Sequence, residues 1–396
     1  MASGAVHFDA AERRARLGKR HRLASAYLAK TPEDVACDLV ALHGTDPATV
    51  YLSVAARLGT PSSVEVERAL YVDRTLVRML GMRRTVFTVP LEVAPIMQAA
   101  CTRAIAVQER KRTLQLLAEG TDLSGDLASW FAELEQATLK AVEARGEATA
   151  QELSVDVPGL RTPIRFAEDK SYGGVQNVVT RVLSQMASEG RIIRTRPRGS
   201  WISSQFRWAA MQTWLPGGLP EYSVQTAQVE LVRRWLRSFG PGTLNDLKWW
   251  TGLTMGDVKR ALSQLEVTEV ALDNGTGLVL ADDVELVGPI EPWVALLPGL
   301  DPTPMGYVER DWFLGPHAPR IFDRSGNIGP SIWCDGRIVG GWAQRKNGTI
   351  AFELLEDIGA QAEKGIARAA DLLGSWLGSV RVTPRFRTPL ERELSA

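Results

Sequence analysis

The sequence predicts a mixed α+β fold, in which three tandem winged-helix units precede a C-terminal β-rich half-barrel region. Three observations predict it. A helical pattern leads into a basic hairpin at residues 174–201, and that order recurs in two other parts of the chain. After residue 287 the composition changes to short segments rich in glycine, proline and aromatic residues. The expected domains are an N-terminal segment with the first winged helix (1–126), a second winged helix with a basic wing (127–222), a third winged helix (223–287) and a β-rich domain (288–396).

The first unit opens with a clear helix signal. A threonine suited to capping precedes Pro32, and a glycine follows His43, so we expect a helix from Pro32 to about His43. Asp46, followed by proline, predicts the cap of the next helix. The segment DRTLVRMLGM, residues 73–82, favours a short recognition-like helix, and the alternation over residues 83–90 favours a strand.

The second unit has the most informative pattern of the chain. Apolar residues recur at helical spacing from Val175 to Met186 and leave a polar face for a partner. Four arginines then lie on the hairpin, around a turn that contains Pro197 and Gly199. Guanidinium groups on a β-ribbon suit phosphates. The candidate DNA contacts are therefore Gln176, Asn177, Arg181, Arg191, Arg194, Arg196 and Arg198.

Positive charge is concentrated in this unit. Between Arg181 and Arg207, six arginines accompany a single acid, Glu189, in a chain whose net charge is zero. This placement is typical of a face that follows a nucleic-acid backbone, and the alternative is a solvated sheet edge that resists aggregation. A loop at 156–172 is longer than a minimal domain needs, and we expect it to probe a duplex with Arg161, Arg165 and Lys170.

The third unit repeats the plan, with three short helices and a wing that turns at Asn274 and Gly275. Beyond residue 287, short segments rich in glycine, proline and aromatic residues favour small strands, among them YVERDWFL. An amphipathic helix near 358–377 and a strand at 380–382 are expected to close this β-rich region.

The composition of the chain limits the classes of protein to which it can belong. The 396 residues are 45% hydrophobic, with 12 tryptophans, which is enough for several cores. No stretch of about 18 apolar residues indicates a membrane span, and the arginine-rich N-terminus does not read as an export signal. The three cysteines are far apart and have no metal-ligand spacing, so we expect a reducing cytoplasm and no structural zinc. The expected function requires neither a metal nor an organic cofactor.

Several segments, in order, resemble one family. GTLNDLKWWTGLTMGDVKRAL, LPGLDPTPMGYVERDWFL, GRIVGGW at 336–342 and VRMLGMRRTVFTVP are similar to the tandem winged-helix bacterial DNA glycosylases of the AlkZ/YcaQ type, over about residues 20–390. The resemblance implies excision of alkylated bases, including bulky antibiotic adducts. It also implies a catalytic signature of two polar residues separated by one residue, usually Gln-x-Gln or Gln-x-Asp, followed by Asp-Pro.

At that position this chain reads His43-Gly44-Thr45-Asp46. Hydrolysis of an N-glycosidic bond needs a water held on the far face of a cationic sugar. His43 can accept a proton from that water or stabilise charge, Thr45 can orient the water, and Asp46 can hold His43 or offset positive charge. The alternative is structural: a histidine and glycine that end one helix, and Thr45 or Asp46 as the cap of the next.

These inferences favour a monofunctional DNA glycosylase that acts as a monomer on double-stranded DNA carrying alkylated purines such as N7-alkylguanine. The signature contains no lysine for a Schiff base, which argues against lyase activity. The altered signature and the Ala/Arg/Gly-rich composition favour self-resistance against a DNA-alkylating antibiotic. The alternatives are a tandem winged-helix transcription regulator, which usually reads a palindrome as a dimer, and a damage-binding protein without catalysis.

Overall fold

The computed structural model describes residues 6–167 and 173–396. Both helices and strands occur along these ranges, so the predicted mixed class is confirmed. The helices are α1 Ala10–Arg20, α2 Pro32–Asp38, α3 Pro47–Ala55, α4 Ser63–Glu67, α5 Ala94–Met97, α6 Arg103–Gly120, α7 Leu127–Arg145, α8 Ala150–Asp156, α9 Val179–Ser188, α10 Met211–Trp214, α11 Val224–Phe239, α12 Leu244–Thr251, α13 Met255–Leu262, α14 Asp311–Leu314, α15 Ala318–Ile321, α16 Ala360–Leu377 and α17 Pro389–Leu394.

The strands form small sheets in the orders β1-β10-β11, β2-β4-β3, β5-β9-β8, β6-β7 and β12-β13-β14-β15. Their bounds are β1 His7–Phe8, β2 Leu42–His43, β3 Leu76–Leu80, β4 Val86–Pro90, β5 Glu147–Thr149, β6 Pro163–Phe166, β7 Gly174–Asn177, β8 Ile192–Pro197, β9 Phe206–Ala210, β10 Val267–Leu272, β11 Gly275–Leu280, β12 Val294–Leu297, β13 Ser331–Cys334, β14 Arg337–Gln344 and β15 Ile350–Leu354.

Two compact units emerge from the contacts within the chain. The first contains residues 1–77, 87–93 and 228–396, and the second contains residues 78–86 and 94–227. The first unit thus combines both ends of the chain. Our four consecutive domains follow the order of the sequence instead, and they stay a prediction.

One order of elements occurs twice in full. A helix, a short strand, two further helices and a hairpin follow one another from α2 to β4. The same elements occur from α7 to β9, where the paired strands β6 and β7 lie between the two further helices, α8 and α9. In both cases the short strand pairs antiparallel with the last strand of the hairpin, β2 with β4 and β5 with β9. From α11 to β11 the same order recurs with a single bridge, Gly242 to Leu278, in place of the short strand.

The helices of this repeated order begin where capping chemistry predicts. Thr31 caps α2 through a capping box with Asp34, and Pro32 occupies the first turn. Thr149 and Thr243 form the same box at α8 and α12. The local sequence therefore determines where these helices start.

Two expectations for the first of these regions were wrong. The helix that begins at Pro32 ends at Asp38, and His43 lies on β2. The apolar run from Leu39 to Leu42 is buried throughout, so it shows no alternation that separates strand from helix. Residues 76–80 of the predicted recognition-like helix form β3, and the third helix is α4, which continues as a π-helical turn over Arg68–Val72.

The C-terminal region contains an open antiparallel sheet, β12 to β15, with α16 packed on one face. Ile332, Val339 and Trp342 from the sheet meet Ile366 and Ala370 of the helix in a buried apolar cluster. The predicted amphipathic helix is confirmed as α16, but residues 380–382 do not form a strand. YVERDWFL contains α14 instead of a strand. Among the described residues, no helix is both long and apolar enough to cross a membrane.

Candidate functional site

The candidate catalytic residues lie in the turn between β2 and α3. His43 is the last residue of β2 and is paired in register with Phe87 of β4. Its side chain is 7% exposed, and its ring centroid is 5.5 Å from that of Phe87. Thr45 follows two residues later and is half-buried. The strand therefore holds the imidazole against an aromatic ring, and His43 does not lie at the C-terminus of a helix.

Asp46 begins α3 as its N-cap residue. One carboxylate oxygen accepts the backbone N–H of Ala48 at 3.1 Å, and the other accepts the backbone N–H of Arg385 at 2.9 Å. The expected cap is confirmed. The carboxylate that we expected to hold His43 instead fixes the start of α3 through two backbone amides.

The contribution of Arg385 was missed by sequence reasoning. Its backbone N–H binds Asp46, and its guanidinium lies 3.5 Å from the carbonyl oxygen of Thr45. A backbone amide is present at every residue except proline, so no sequence signal could have identified this contact.

The basic hairpin is present as β8 and β9, and it separates the candidate arginines into two groups. Arg196 and Arg198 are exposed near its tip. Arg191, at its base, forms ion pairs with Glu135 at 3.2 Å and with Glu189 at 3.6 Å. Burial raises the pKa of Glu135, which makes the ion pairs at this base important for keeping the carboxylate charged.

Arg194 has a different environment from the other arginines of the hairpin. It pairs in register with Trp208, and its guanidinium lies 4.6 Å from the centroid of that indole ring. Burial and the nearby charge of Arg78 lower the pKa of Arg194 to about 10, so it keeps its charge at neutral pH. Arg78 itself lies over the ring of Phe206 at 4.6 Å. The aromatic residues of β9 therefore support two guanidinium groups.

Gln176 and Asn177 do not lie on the helix predicted for them. They belong to β7, which pairs with β6, and the helix begins at Val179. Val175, expected in the apolar core, is 66% exposed for the same reason. Arg181 does lie on α9 and is half-buried.

The segment expected as a long probing loop is partly structured. It contains a 3₁₀ turn at Pro158–Arg161 and the strand β6. Arg165 forms an ion pair with Asp122 at 2.6 Å. Lys170 lies outside the described residues. Within the part of the chain that the structure describes, no group of three or more His, Cys, Asp or Glu side chains is placed to hold a metal ion.

Comparison with known proteins adds two findings. The chain matches the model of the DNA glycosylase AlkZ-like family over residues 37–376. It is also similar in structure to the DNA glycosylase AlkZ of Streptomyces sahachiroi, with a TM-score of 0.73, 18% sequence identity, and coverage of 96% of this chain and 99% of that chain. No curated protein sequence matches it.

Proposed function

Because this chain belongs to the AlkZ-like DNA glycosylase family, we propose that it is a monofunctional DNA glycosylase that hydrolyses the N-glycosidic bond of alkylated purines in duplex DNA. N7-alkylguanine is the expected type of substrate. The observation that carries this proposal is the turn after β2, where His43 is held on a strand and Thr45 follows immediately before α3. Membership of a glycosylase family argues against the transcription regulator considered from sequence.

The departure of the alkylated purine needs little assistance from the enzyme. A purine alkylated at N7 is already cationic, so it can leave without a proton from the protein. The remaining tasks are to deliver a water and to stabilise positive charge on the sugar. His43 accepts the proton of that water, Thr45 orients it through one hydrogen bond, and Asp46 keeps both in place by fixing the start of α3.

Duplex DNA is the proposed partner, bound by tandem winged helices. The repeated order of helix, short strand, two helices and hairpin supports this interpretation, as does the pairing of each short strand with the last hairpin strand. Arg196 and Arg198 are exposed and suit phosphate contacts, and Arg181, Gln176 and Asn177 are further candidates. We interpret Arg191 and Arg194 as supporting residues that stiffen the wing.

The finer parts of the proposal depend on family and composition. The sheet β12 to β15 is interpreted as a half-barrel region. The enzyme acts as a monomer in a reducing cytoplasm, and it needs no metal or organic cofactor. The replacement of the usual glutamines by His43 and Thr45 supports a specialised substrate. A bulky antibiotic adduct at N7 of guanine, removed for self-resistance, fits that expectation.

The test is base release from a duplex with a single N7-methylguanine, measured beside an unmodified duplex and a duplex with a bulky N7 adduct. We expect released base and an alkali-sensitive abasic site from both modified duplexes with the wild-type protein, and no release from the unmodified one. Tight binding of the modified duplexes without release would instead show a damage-binding protein. Strand cleavage without alkali would contradict the monofunctional mechanism.

A further inference from the structure

A stripe of buried polar side chains follows α3 away from the candidate catalytic turn. Thr49 and Ser53 are one helical turn apart on the same face, and Arg57 follows just after the helix. The Thr49 hydroxyl donates to the carbonyl oxygen of Gly299 at 2.8 Å, and the Ser53 hydroxyl donates to Asp301 at 2.8 Å. One face of α3 is therefore attached to the segment after β12 by hydrogen bonds.

Arg57 and Asp301 complete this attachment with an ion pair that excludes solvent. Both side chains are 0% exposed, and the guanidinium binds the carboxylate with two hydrogen bonds of 2.7 and 2.8 Å. The other donors of Arg57 bind the carbonyl oxygens of His21 and Ser53 and the hydroxyl of Thr303. Asp301 also accepts the Ser53 hydroxyl and the backbone N–H of Thr303.

The pair is thus saturated with hydrogen bonds on both sides. A buried ion pair contributes little net stability compared with apolar residues of similar volume, because desolvation offsets the attraction. The fixed hydrogen-bond geometry of the pair does, however, fix the positions of the groups that bind it. Those groups include Ser53 on α3, and Thr49 adds a second point only three residues after Asp46.

We propose that Asp301 and Arg57, which act through Ser53, and Thr49, which acts through its bond to the Gly299 carbonyl, are positioning residues for base excision. They hold α3 in register with the segment at 299–303, so that its N-terminal turn keeps His43 and Thr45 in place for the attacking water. This inference rests on the proposed function of that turn. None of the four side chains needs to touch DNA.

The test removes single hydroxyl groups from the stripe. Thr49→Val and Ser53→Ala should each lower the single-turnover rate of base release about tenfold or more at saturating enzyme, because small displacements of reacting groups are costly. The dissociation constant for the modified duplex should change less than about twofold, since binding surfaces are untouched. Thr49→Ser keeps the donor and should restore the wild-type rate.

Thr138→Val is the matched control. Thr138 is equally buried, and its hydroxyl donates to the Leu134 carbonyl within α7 at 2.7 Å. Thr138→Val should lose about as much stability in thermal unfolding as Thr49→Val does, but its excision rate should be unchanged. Equal loss of rate in Thr138→Val and Thr49→Val would show that the rate merely follows stability, and the inference would be wrong.

A double variant separates positioning from folding. Arg57→Met with Asp301→Leu replaces the ion pair by apolar side chains, an exchange that often preserves folding. We expect a folded protein that still binds the modified duplex but excises the base about a hundredfold more slowly. Wild-type excision by the folded double variant would overturn the inference. No base release by the wild-type protein would refute the proposed function, and this inference with it.

Discussion

Two turns in this molecule occupy the same place in the repeated order of elements but are built differently. The turn from β5 to α8 has no spare residue, because Thr149 ends the strand and also caps the helix, in a capping box with Glu152. The turn from β2 to α3 inserts Gly44 and Thr45 between the strand end at His43 and the cap at Asp46.

The difference extends to what supports each turn. The capping box at Thr149 and Glu152 joins residues three apart in sequence, and Glu152 also pairs with Arg207 of β9 at 3.9 Å. Asp46 is instead bound by an amide 339 residues further along the chain, and Thr49 by a carbonyl 250 residues further along. A cap formed by neighbouring residues is thus exchanged for one that leaves space for two additional residues, Gly44 and Thr45, and depends on distant parts of the chain. We interpret the longer turn as the one adapted for chemistry.

The largest effect is expected for His43→Ala. Loss of a positioned base typically reduces a rate by about 10² to 10⁴, and the single-turnover rate of base release should fall within that range. Binding of the modified duplex should persist, because no proposed DNA contact is removed. Thr45→Ala should cost about tenfold, the value of one neutral hydrogen bond to water.

The direction of the pH profile tests the role of His43. A base must be neutral, so we expect the excision rate of the wild-type protein to increase with pH and His43→Gln to lose that dependence. A rate that decreases with pH would indicate a cationic role. Full activity in His43→Ala would show that the turn from β2 to α3 is not adapted for catalysis.

The distant support of α3 should weaken in acid, through His21. Its ring contacts the hydroxyl of Thr303 at 2.9 Å, and its carbonyl binds Arg57. Burial, followed by the charge of Arg57, lowers the pKa of His21 to about 3. The unfolded chain binds this proton below about pH 6.5, whereas the folded chain does not until about pH 3. As far as His21 is concerned, the free energy of unfolding therefore has its full value above about pH 6.5 and decreases as the pH falls below it.

Between pH 7 and pH 5 this group alone should remove about 2 kcal/mol, measured by denaturant unfolding at each pH. His21→Gln should show a flatter profile over the same range. His7→Gln is the control, because His7 is exposed and pairs with Asp273 at the surface. Identical profiles for wild type and His21→Gln would show that His21 is not the group responsible.

The wing formed by β8 and β9 should act on DNA affinity and not on chemistry. Arg196→Ala with Arg198→Ala removes up to two phosphate contacts, so the slope of log affinity against log salt should become shallower by up to about 1.8. The control, Arg233→Ala with Arg260→Ala, removes two exposed arginines that pair within their own helices. An unchanged slope in the wing variant would mean that the wing points away from DNA.

The smallest effects should come from the two caps themselves. Asp46→Ala and Thr149→Ala each remove an N-cap and should cost about 1 kcal/mol of stability in thermal unfolding. Only Asp46→Ala should also slow excision, by about fivefold, which corresponds to about 1 kcal/mol. Equal excision rates in the two variants would show that the turns do not differ in function.

What could be predicted from sequence was whatever depends on neighbouring residues. The cap at Asp46, the basic hairpin and α16 all follow from local spacing and charge. The placement of His43 on β2 could not be predicted, because a two-residue strand is selected by its partner β4, more than 40 residues later. Likewise, Gln176 and Asn177 became part of a strand because β6 was available to pair with β7.

The amide of Arg385 that binds Asp46 has a consequence for how the enzyme is made. During synthesis the proposed catalytic turn leaves the ribosome well before its supports, since Gly299 lies 250 residues after Thr49 and Arg385 lies 339 residues after Asp46. A nascent chain therefore carries His43 and Thr45 without the framework that places them. We therefore expect the ability to excise bases from DNA only after Arg385 has been synthesised.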